Sequence, residues 1–195
     1  MILTRVVSVA ALILGIAGCS TVDTASRATT LDVPGLAASS AVVQRSYALQ
    51  NVQIIVPAGL RVSEGAGYYP SADVVWRGDP VGDRGQQIVA MFEAAGARAA
   101  PGLTGGVPVI AVVTLRRFHG LTERTRYSIG GIYSIEFDLE IRNAQTGAVI
   151  EAARFIEADL NGPGGLAAVA LEQAGQTEKV RVTDHLTYVL QRELS

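Results

Sequence analysis

The stretch IYSIEFDLEIR, residues 132–142, decides the fold, because apolar and polar side chains alternate along its whole length. The apolar positions are Tyr133, Ile135, Phe137, Leu139 and Ile141. The polar positions are Ser134, Glu136, Asp138, Glu140 and Arg142. A period of two places successive side chains on opposite faces of a β-strand. The stretch therefore predicts a strand of an antiparallel sheet, with one face in the core and one in water.

The segments on either side extend this strand into a sheet. The run VPVIAVVTLRRF, residues 107–118, is rich in β-branched residues and predicts a central strand, with Pro108 near its start, where proline is tolerated. The turn sequence NAQTG, residues 143–147, leads into AVIEAARFIEA, residues 148–158. We therefore expect three consecutive antiparallel strands, the last two joined by a hairpin turn.

The first half of the chain predicts two strands and a helix. LQNVQIIVP, residues 49–57, reads as a strand that ends at Pro57, and residues 74–76 read as a short second strand. Asp83 is placed to cap a helix, with Gln86 three residues later. The following apolar residues have the spacing of one buried helical face; they are Ile88, Met91, Phe92 and Ala95.

The last part of the chain adds helices. LAAVALEQAG, residues 166–175, is predicted to be helical, and the closing segment carries an apolar stripe of helical period. That stripe consists of Val182, Leu186, Val189, Leu190 and Leu194. Segregated runs of strands and helices predict an α+β fold, a mostly antiparallel sheet with two or three helices packed on one face.

Composition limits the class of protein. The chain has 195 residues, of which 49% are hydrophobic and 17% charged, so it can bury one domain-sized core. Its net charge of -2 lacks the basic excess of nucleic-acid binders, so no nucleic-acid partner is expected.

The N-terminus has the pattern of an export signal. Arg5 precedes an apolar run from Val6 to Ala17, which is too short to span a bilayer as a permanent helix. Small residues then lead to Cys19, the only cysteine of the chain, so no disulfide can form within it. The residues LGIAGC, 14–19, resemble the lipobox of bacterial lipoproteins. That resemblance implies cleavage before Cys19 and acylation of its thiol and its new amino group.

These features predict three regions: a signal peptide over residues 1–18, an acylated cysteine with a Ser- and Thr-rich flexible tether over 19–41, and a single α+β periplasmic domain over 42–195. The acyl chains would make membrane attachment stable. The architecture resembles small Gram-negative envelope lipoproteins of unknown function and, more loosely, the auxiliary lipoproteins of ABC-type transport systems, through IIVPAGL at residues 54–60.

The resemblance implies a non-catalytic accessory role, in which the domain binds an envelope protein during transport or assembly. The residue after Cys19 is Ser20 and not the aspartate that retains lipoproteins in the inner membrane. This implies the periplasmic face of the outer membrane.

One arginine-rich segment, LRRFHGLTERTRYSIGG at residues 115–131, is the strongest candidate for a binding site. We expect it in the connection between two strands, with Arg116, Arg117, Arg124 and Arg126 flanking His119. Guanidinium groups bind carboxylates and phosphates through paired hydrogen bonds, so this segment could contact an anion or an acidic partner. The alternative is that these arginines only pair with carboxylates of the same hairpin.

Three aromatic residues form a second candidate set: Tyr68, Tyr69 and Trp76. Large aromatic side chains are favoured in the core, and lining a groove is the alternative.

Catalytic and metal sites are not predicted. His119 and His185, the only histidines, lie in separate elements, and no cluster of ligand residues accompanies them, so no metal or cofactor is expected. The familiar hydrolase and phosphate-loop motifs are missing. A glycan- or cell-wall-binding lipoprotein and an enzyme with an unrecognised site remain alternatives. The oligomeric state stays open.

Overall fold

The alternating stretch lies within one long strand at the centre of a mixed sheet. A computed structural model describes residues 45–195, and the elements in chain order are as follows. β1 is Tyr47–Ile55, β2 Val74–Val75, α1 Arg84–Ala99, β3 Val107–His119, α2 Glu123–Arg126, β4 Gly131–Asn143, β5 Val149–Glu157, β6 Leu160–Gly162, α3 Leu166–Gln173 and α4 Glu178–Leu194. A short 3-10 turn, Ala100–Gly102, follows α1. The predicted α+β class is confirmed.

The antiparallel pair of β3 and β4 is the centre of the sheet. Val113 lies opposite Leu139 and Leu115 opposite Phe137. All five apolar residues of the alternating stretch are buried, whereas their polar neighbours lie on the other face. The predicted pattern of one buried and one wetter face is confirmed for β4.

Two helices cover the apolar face. The predicted apolar sides of α1 and α4 are both fully buried. Phe92 of α1 meets Phe137 of β4 edge to face, with ring centroids 5.4 Å apart. Asp83 caps α1 as predicted, because its side chain accepts a hydrogen bond from the Gln86 N–H at 3.0 Å.

The sheet is completed by shorter or outer strands. Its order is β1-β3-β4-β5, with β2 pairing β3 and β6 pairing β4. β4 pairs antiparallel with β3, β5 and β6, whereas β1 and β2 run parallel to β3. The parallel pair arises because α1 carries the chain across the sheet face between β1 and β3. β1 begins two residues before the predicted strand, since Tyr47 is buried and lies beside Val107.

The strand β3 runs from one end of the domain to the other. β1 and β3 begin side by side at Tyr47 and Val107, where the chain enters the domain. α2 follows the opposite end of β3. A strand of this length spans about 40 Å. The entry point and α2 therefore lie at opposite ends of the sheet.

Cys19 and the predicted tether lie outside the described residues, and the three predicted regions stay predictions.

Candidate functional site

The predicted arginine segment is divided between a strand and a short helix. Arg116, Arg117 and His119 belong to β3, while Arg124 and Arg126 belong to α2. Arg116 and Arg117 lie within the predicted strand 107–118, and β3 extends it by one residue to His119. The expectation that these three residues lie in the connection between strands is therefore wrong. β3 continues past an irregularity at Leu115–Arg117, because Phe118 returns to the buried face and pairs with Ile135.

Arg116 pairs within the sheet, as the alternative interpretation predicted. Its Nε lies 2.7 Å from Asp138 Oδ2, and its guanidinium lies 5.4 Å from the ring centre of Phe155. Arg117 lies opposite Glu136 in the strand register. Arg116 is therefore held by a carboxylate of the adjacent strand.

Trp76 is a core residue and cannot line a surface groove. It is fully buried, its ring meets Phe118 edge to face at 5.6 Å, and its Nε1–H donates to Asp79 Oδ2 at 2.8 Å. Core packing, the favoured interpretation, is confirmed for Trp76. It is wrong for Tyr68 and Tyr69, which are 42% and 77% exposed.

The exposed tyrosines and part of the arginine segment meet at α2. The hydroxyl of Thr122 donates to the Gly67 carbonyl at 2.8 Å, and that of Thr125 donates to the Tyr68 carbonyl at 2.8 Å. The Arg124 guanidinium lies 5.1 Å from the ring centre of Tyr68. His119 supports the same loop, with Nε2 3.0 Å from the carbonyl of Pro70. Two sets of residues that are far apart in sequence thus form one surface.

A second group of exposed apolar side chains adjoins α2 on its other side. The Gly165 N–H donates to the Arg126 carbonyl at 3.0 Å, and β6 pairs with the start of β4. These contacts bring together the segments that carry Tyr127, Ile129, Ile132 and Leu166, all exposed. We call the combined set the α2 surface; it consists of Tyr68, Tyr69, Arg124, Tyr127, Ile129, Ile132 and Leu166.

A buried ionic cluster holds α2 in place. Glu178, the first residue of α4, is buried, and it pairs with Arg126 and accepts a hydrogen bond from the Tyr133 hydroxyl at 2.5 Å. Burial raises the pKa of both Glu178 and Tyr133 above their usual values. Arg126 Nε also lies 3.5 Å from Glu172 of α3. Arg126 is therefore a structural residue and not a free binding group.

The loop that carries the two tyrosines is fixed by a second ionic cluster. Buried Arg84 makes a bidentate pair with Glu64, with Nε–Oε1 at 2.8 Å and Nη2–Oε2 at 3.0 Å. Arg77 joins the same carboxylate at 3.0 Å. Bidentate pairs of this kind fix geometry as well as charge. This cluster thus ties the segment before Tyr68 and Tyr69 to the start of α1.

No local pattern in the sequence indicates that Glu64, Arg84 and Glu178 form these ion pairs. Arg126 and Glu178 are 52 residues apart, and Glu64 and Arg84 are 20 apart, so no local pattern joins either pair. A polar residue at the first position of a helix gives no signal of burial.

The α2 surface offers aromatic and aliphatic contact area with one exposed guanidinium. Within residues 45–195, no group of three or more His, Cys, Asp or Glu side chains is placed to hold a metal ion. None of the helices in this part of the chain is long and apolar enough to cross a membrane.

Two solved structures are similar to the chain at low sequence identity. A "putative lipoprotein" from Caulobacter crescentus CB15 is 14% identical, with a TM-score of 0.33, and the match covers 73% of this chain and 86% of that chain. An uncharacterized protein is 17% identical, with a TM-score of 0.39, and the match covers 77% and 93%.

No curated protein matches the sequence. The model of a family of unknown function, DUF6778, matches residues 47–195, which is most of the chain. The chain therefore belongs to the family of unknown function DUF6778.

Proposed function

We propose that this protein is a lipid-anchored protein of the bacterial cell envelope whose domain binds a protein partner through the α2 surface. The observation that carries the anchor is the sequence LGIAGC at residues 14–19, with Cys19 as the only thiol. Ser20 supports the periplasmic face of the outer membrane. The role is accessory and non-catalytic, in envelope transport or assembly.

The geometry of the domain supports a binding role for the α2 surface. The chain enters at Tyr47, about 40 Å along β3 from α2. If the predicted tether is flexible, its roughly 20 residues have an r.m.s. reach of about 25 Å. The α2 surface lies at the end of the domain opposite the entry point, so a partner can bind there without contacting the first residues of β1.

The residue types on this surface favour a protein partner. Tyrosine and arginine are enriched where protein interfaces hold most of their binding energy. Leu166 and Ile129 are 88% and 63% exposed and offer only apolar contact. Monomeric proteins rarely expose large contiguous apolar patches without a use for them.

The two exposed tyrosines also support a second candidate, a glycan- or cell-wall-binding lipoprotein. Their rings can serve as flat apolar platforms beside the Arg124 guanidinium. Sedimentation with purified sacculi tests this candidate. Cosedimentation that is lost in Tyr69→Ala would favour it over a protein partner.

Metabolic labelling with radioactive palmitate tests the anchor. We expect label on the wild-type chain and none on Cys19→Ser, because the thiol is the acylation site. Equal labelling of both chains would contradict the proposal.

Membrane fractionation tests the location. Wild type is expected in the outer-membrane fraction and Ser20→Asp in the inner-membrane fraction. Wild type in the inner membrane would contradict the outer-membrane assignment while leaving acylation intact.

A further inference from the structure

The two edges of the sheet are built differently. Within residues 45–195 the sheet ends at β1 on one side and at β5 on the other. β5 carries the exposed Glu157, and its register shifts twice against β4. Glu151 and Arg154 form ion pairs with Arg45 and Glu193. Charges and bulges are the means by which proteins keep an edge strand from pairing. The β5 edge is therefore protected.

The β1 edge lacks those charges. Its sequence, YALQNVQII, contains no charged residue. After one irregularity at Leu49–Asn51, β1 stays in regular register with β3 from Asn51 to Ile55. Unpaired, uncharged strand edges are templates for another strand. The regular part of β1 is thus suited to accept one.

Alternate backbone N–H groups of β1 point away from β3. The Val52 N–H donates to the side-chain Oδ1 of Asn51 at 2.9 Å. The period of two along a strand places the polar groups of Ile54 on the same edge. Asn51 is exposed, so its side chain can swing away and leave the Val52 N–H to the carbonyl of an incoming strand.

Two pockets lie beside this edge, one at each end of the regular segment. The first is about 100 Å³ and lies between β1 and α1, with a lining that includes Leu49, Val52, Glu93, Gly96 and Ala97. The second is about 200 Å³, with a lining that includes Val56, Leu60, Val62, Val74 and Asp83. Side chains at i and i+4 of an added strand are about 13 Å apart. Val52 in the first lining and Val56 in the second are also four residues apart.

The carboxylates in the two pocket linings favour a basic segment as the occupant of the groove. Each lining holds one carboxylate, Glu93 or Asp83, and neither holds an arginine or a lysine. Glu93 is exposed and makes no ion pair within the described part of the chain. A second copy of this chain would bring the same carboxylates to the same edge. A segment with both basic and apolar side chains is complementary.

We propose that β1 and α1 form a groove that binds an extended segment of a partner protein, rich in basic and apolar residues, by strand addition to the Asn51–Ile55 part of β1, on the edge that faces away from β3. Strand addition of this kind takes its affinity from main-chain hydrogen bonds and its specificity from side-chain pockets. The groove is a binding surface separate from the α2 surface and does not depend on lipidation.

A peptide titration tests the charge requirement. The probe is a fluorescent decapeptide of alternating lysine and valine, added to the full chain and followed by fluorescence anisotropy. Saturable binding is expected, and Glu93→Lys should weaken it at least about fivefold, since a favourable charge contact becomes repulsive. The matched control is Glu157→Lys on the exposed part of β5, which should change the affinity less than about twofold.

Residue-resolved amide exchange tests the strand addition. Saturation with the peptide should slow exchange of the Val52 and Ile54 amides at least about tenfold and leave the Phe155 amide of β5 unchanged. Equal binding of a glutamate–valine decapeptide would overturn the proposal. So would an Ile54 amide that is already protected without peptide, because another part of the chain or a second copy would then occupy the edge.

Discussion

Arg124 and Arg126 lie on the same turn of α2 but have different roles. Arg126 pairs with Glu178, which is buried, whereas Arg124 is exposed and lies over the Tyr68 ring. Removing one partner of a buried ion pair costs about 3–5 kcal/mol. An exposed cation–π contact contributes only about 0.5–1 kcal/mol.

We therefore predict that Arg126→Gln lowers the free energy of unfolding by about 3 kcal/mol, while Arg124→Gln lowers it by less than about 1 kcal/mol. Urea denaturation of the two variants measures both values. Equal losses would show that Arg126 is not the support of α2.

His185 predicts how stability depends on pH. It is partly buried on α4, and its Nε2 lies 3.2 Å from the carbonyl of Ala158, so Nε2 is the donor. Burial lowers the pKa of His185 below its usual 6.5. The unfolded chain then binds the proton more readily, and stability is lost as pH falls below about 6.5 toward the folded pKa.

The variant His185→Gln keeps a donor for the carbonyl but does not titrate. We expect thermal melts at pH 7.5 and 5.5 to show a smaller loss in this variant than in the wild type. A loss of the same size in both chains would assign the pH dependence to other groups.

At the scale of elements, the turn after α2 requires two glycines. Gly130 has a φ of 70°, and a Cβ on Gly164 would lie 2.2 Å from the Gly130 backbone nitrogen. The turn and the segment after β6 can therefore approach only without side chains. This approach places Ile129 and Leu166 on one surface.

Gly164→Ala is predicted to lower the free energy of unfolding by at least about 2 kcal/mol, because the clash is with backbone and no side chain can move to relieve it. Gly67→Ala is the matched control, since a Cβ there has no atom within 4 Å. Denaturant midpoints of both variants measure the difference. A Gly164→Ala midpoint equal to that of the control would contradict the close approach.

The sequence predicts elements well where the signal is local. The Asp83 cap, the alternating β4 and the apolar sides of α1 and α4 all follow from spacing within a few residues. Each depends only on the period of its own helix or strand, so tertiary contacts reinforce it.

Other features depend on residues far apart in the chain. Thr125 contacts the Tyr68 carbonyl across 57 residues, and the parallel partner of β3 is set by where α1 returns the chain. The sequence does not show which of Trp76 and Tyr69 is buried and which is exposed. Only the packing of Trp76 against Phe118 separates them.

At the scale of the whole molecule, the domain has two ends with different surroundings. The chain enters beside the start of β3, and the α2 surface lies at the far end of the same strand. The central claim is that this surface contacts a protein partner.

Site-specific photo-cross-linking in cells tests that claim most directly. A photoreactive benzoylphenylalanine replaces Tyr69 in one chain and Tyr188, 59% exposed on α4, in the control chain. The account predicts a discrete protein adduct from position 69, reduced by Arg124→Gln, and none from position 188. The same adduct from both positions, or none from position 69 in a chain that is normally produced and acylated, would contradict it.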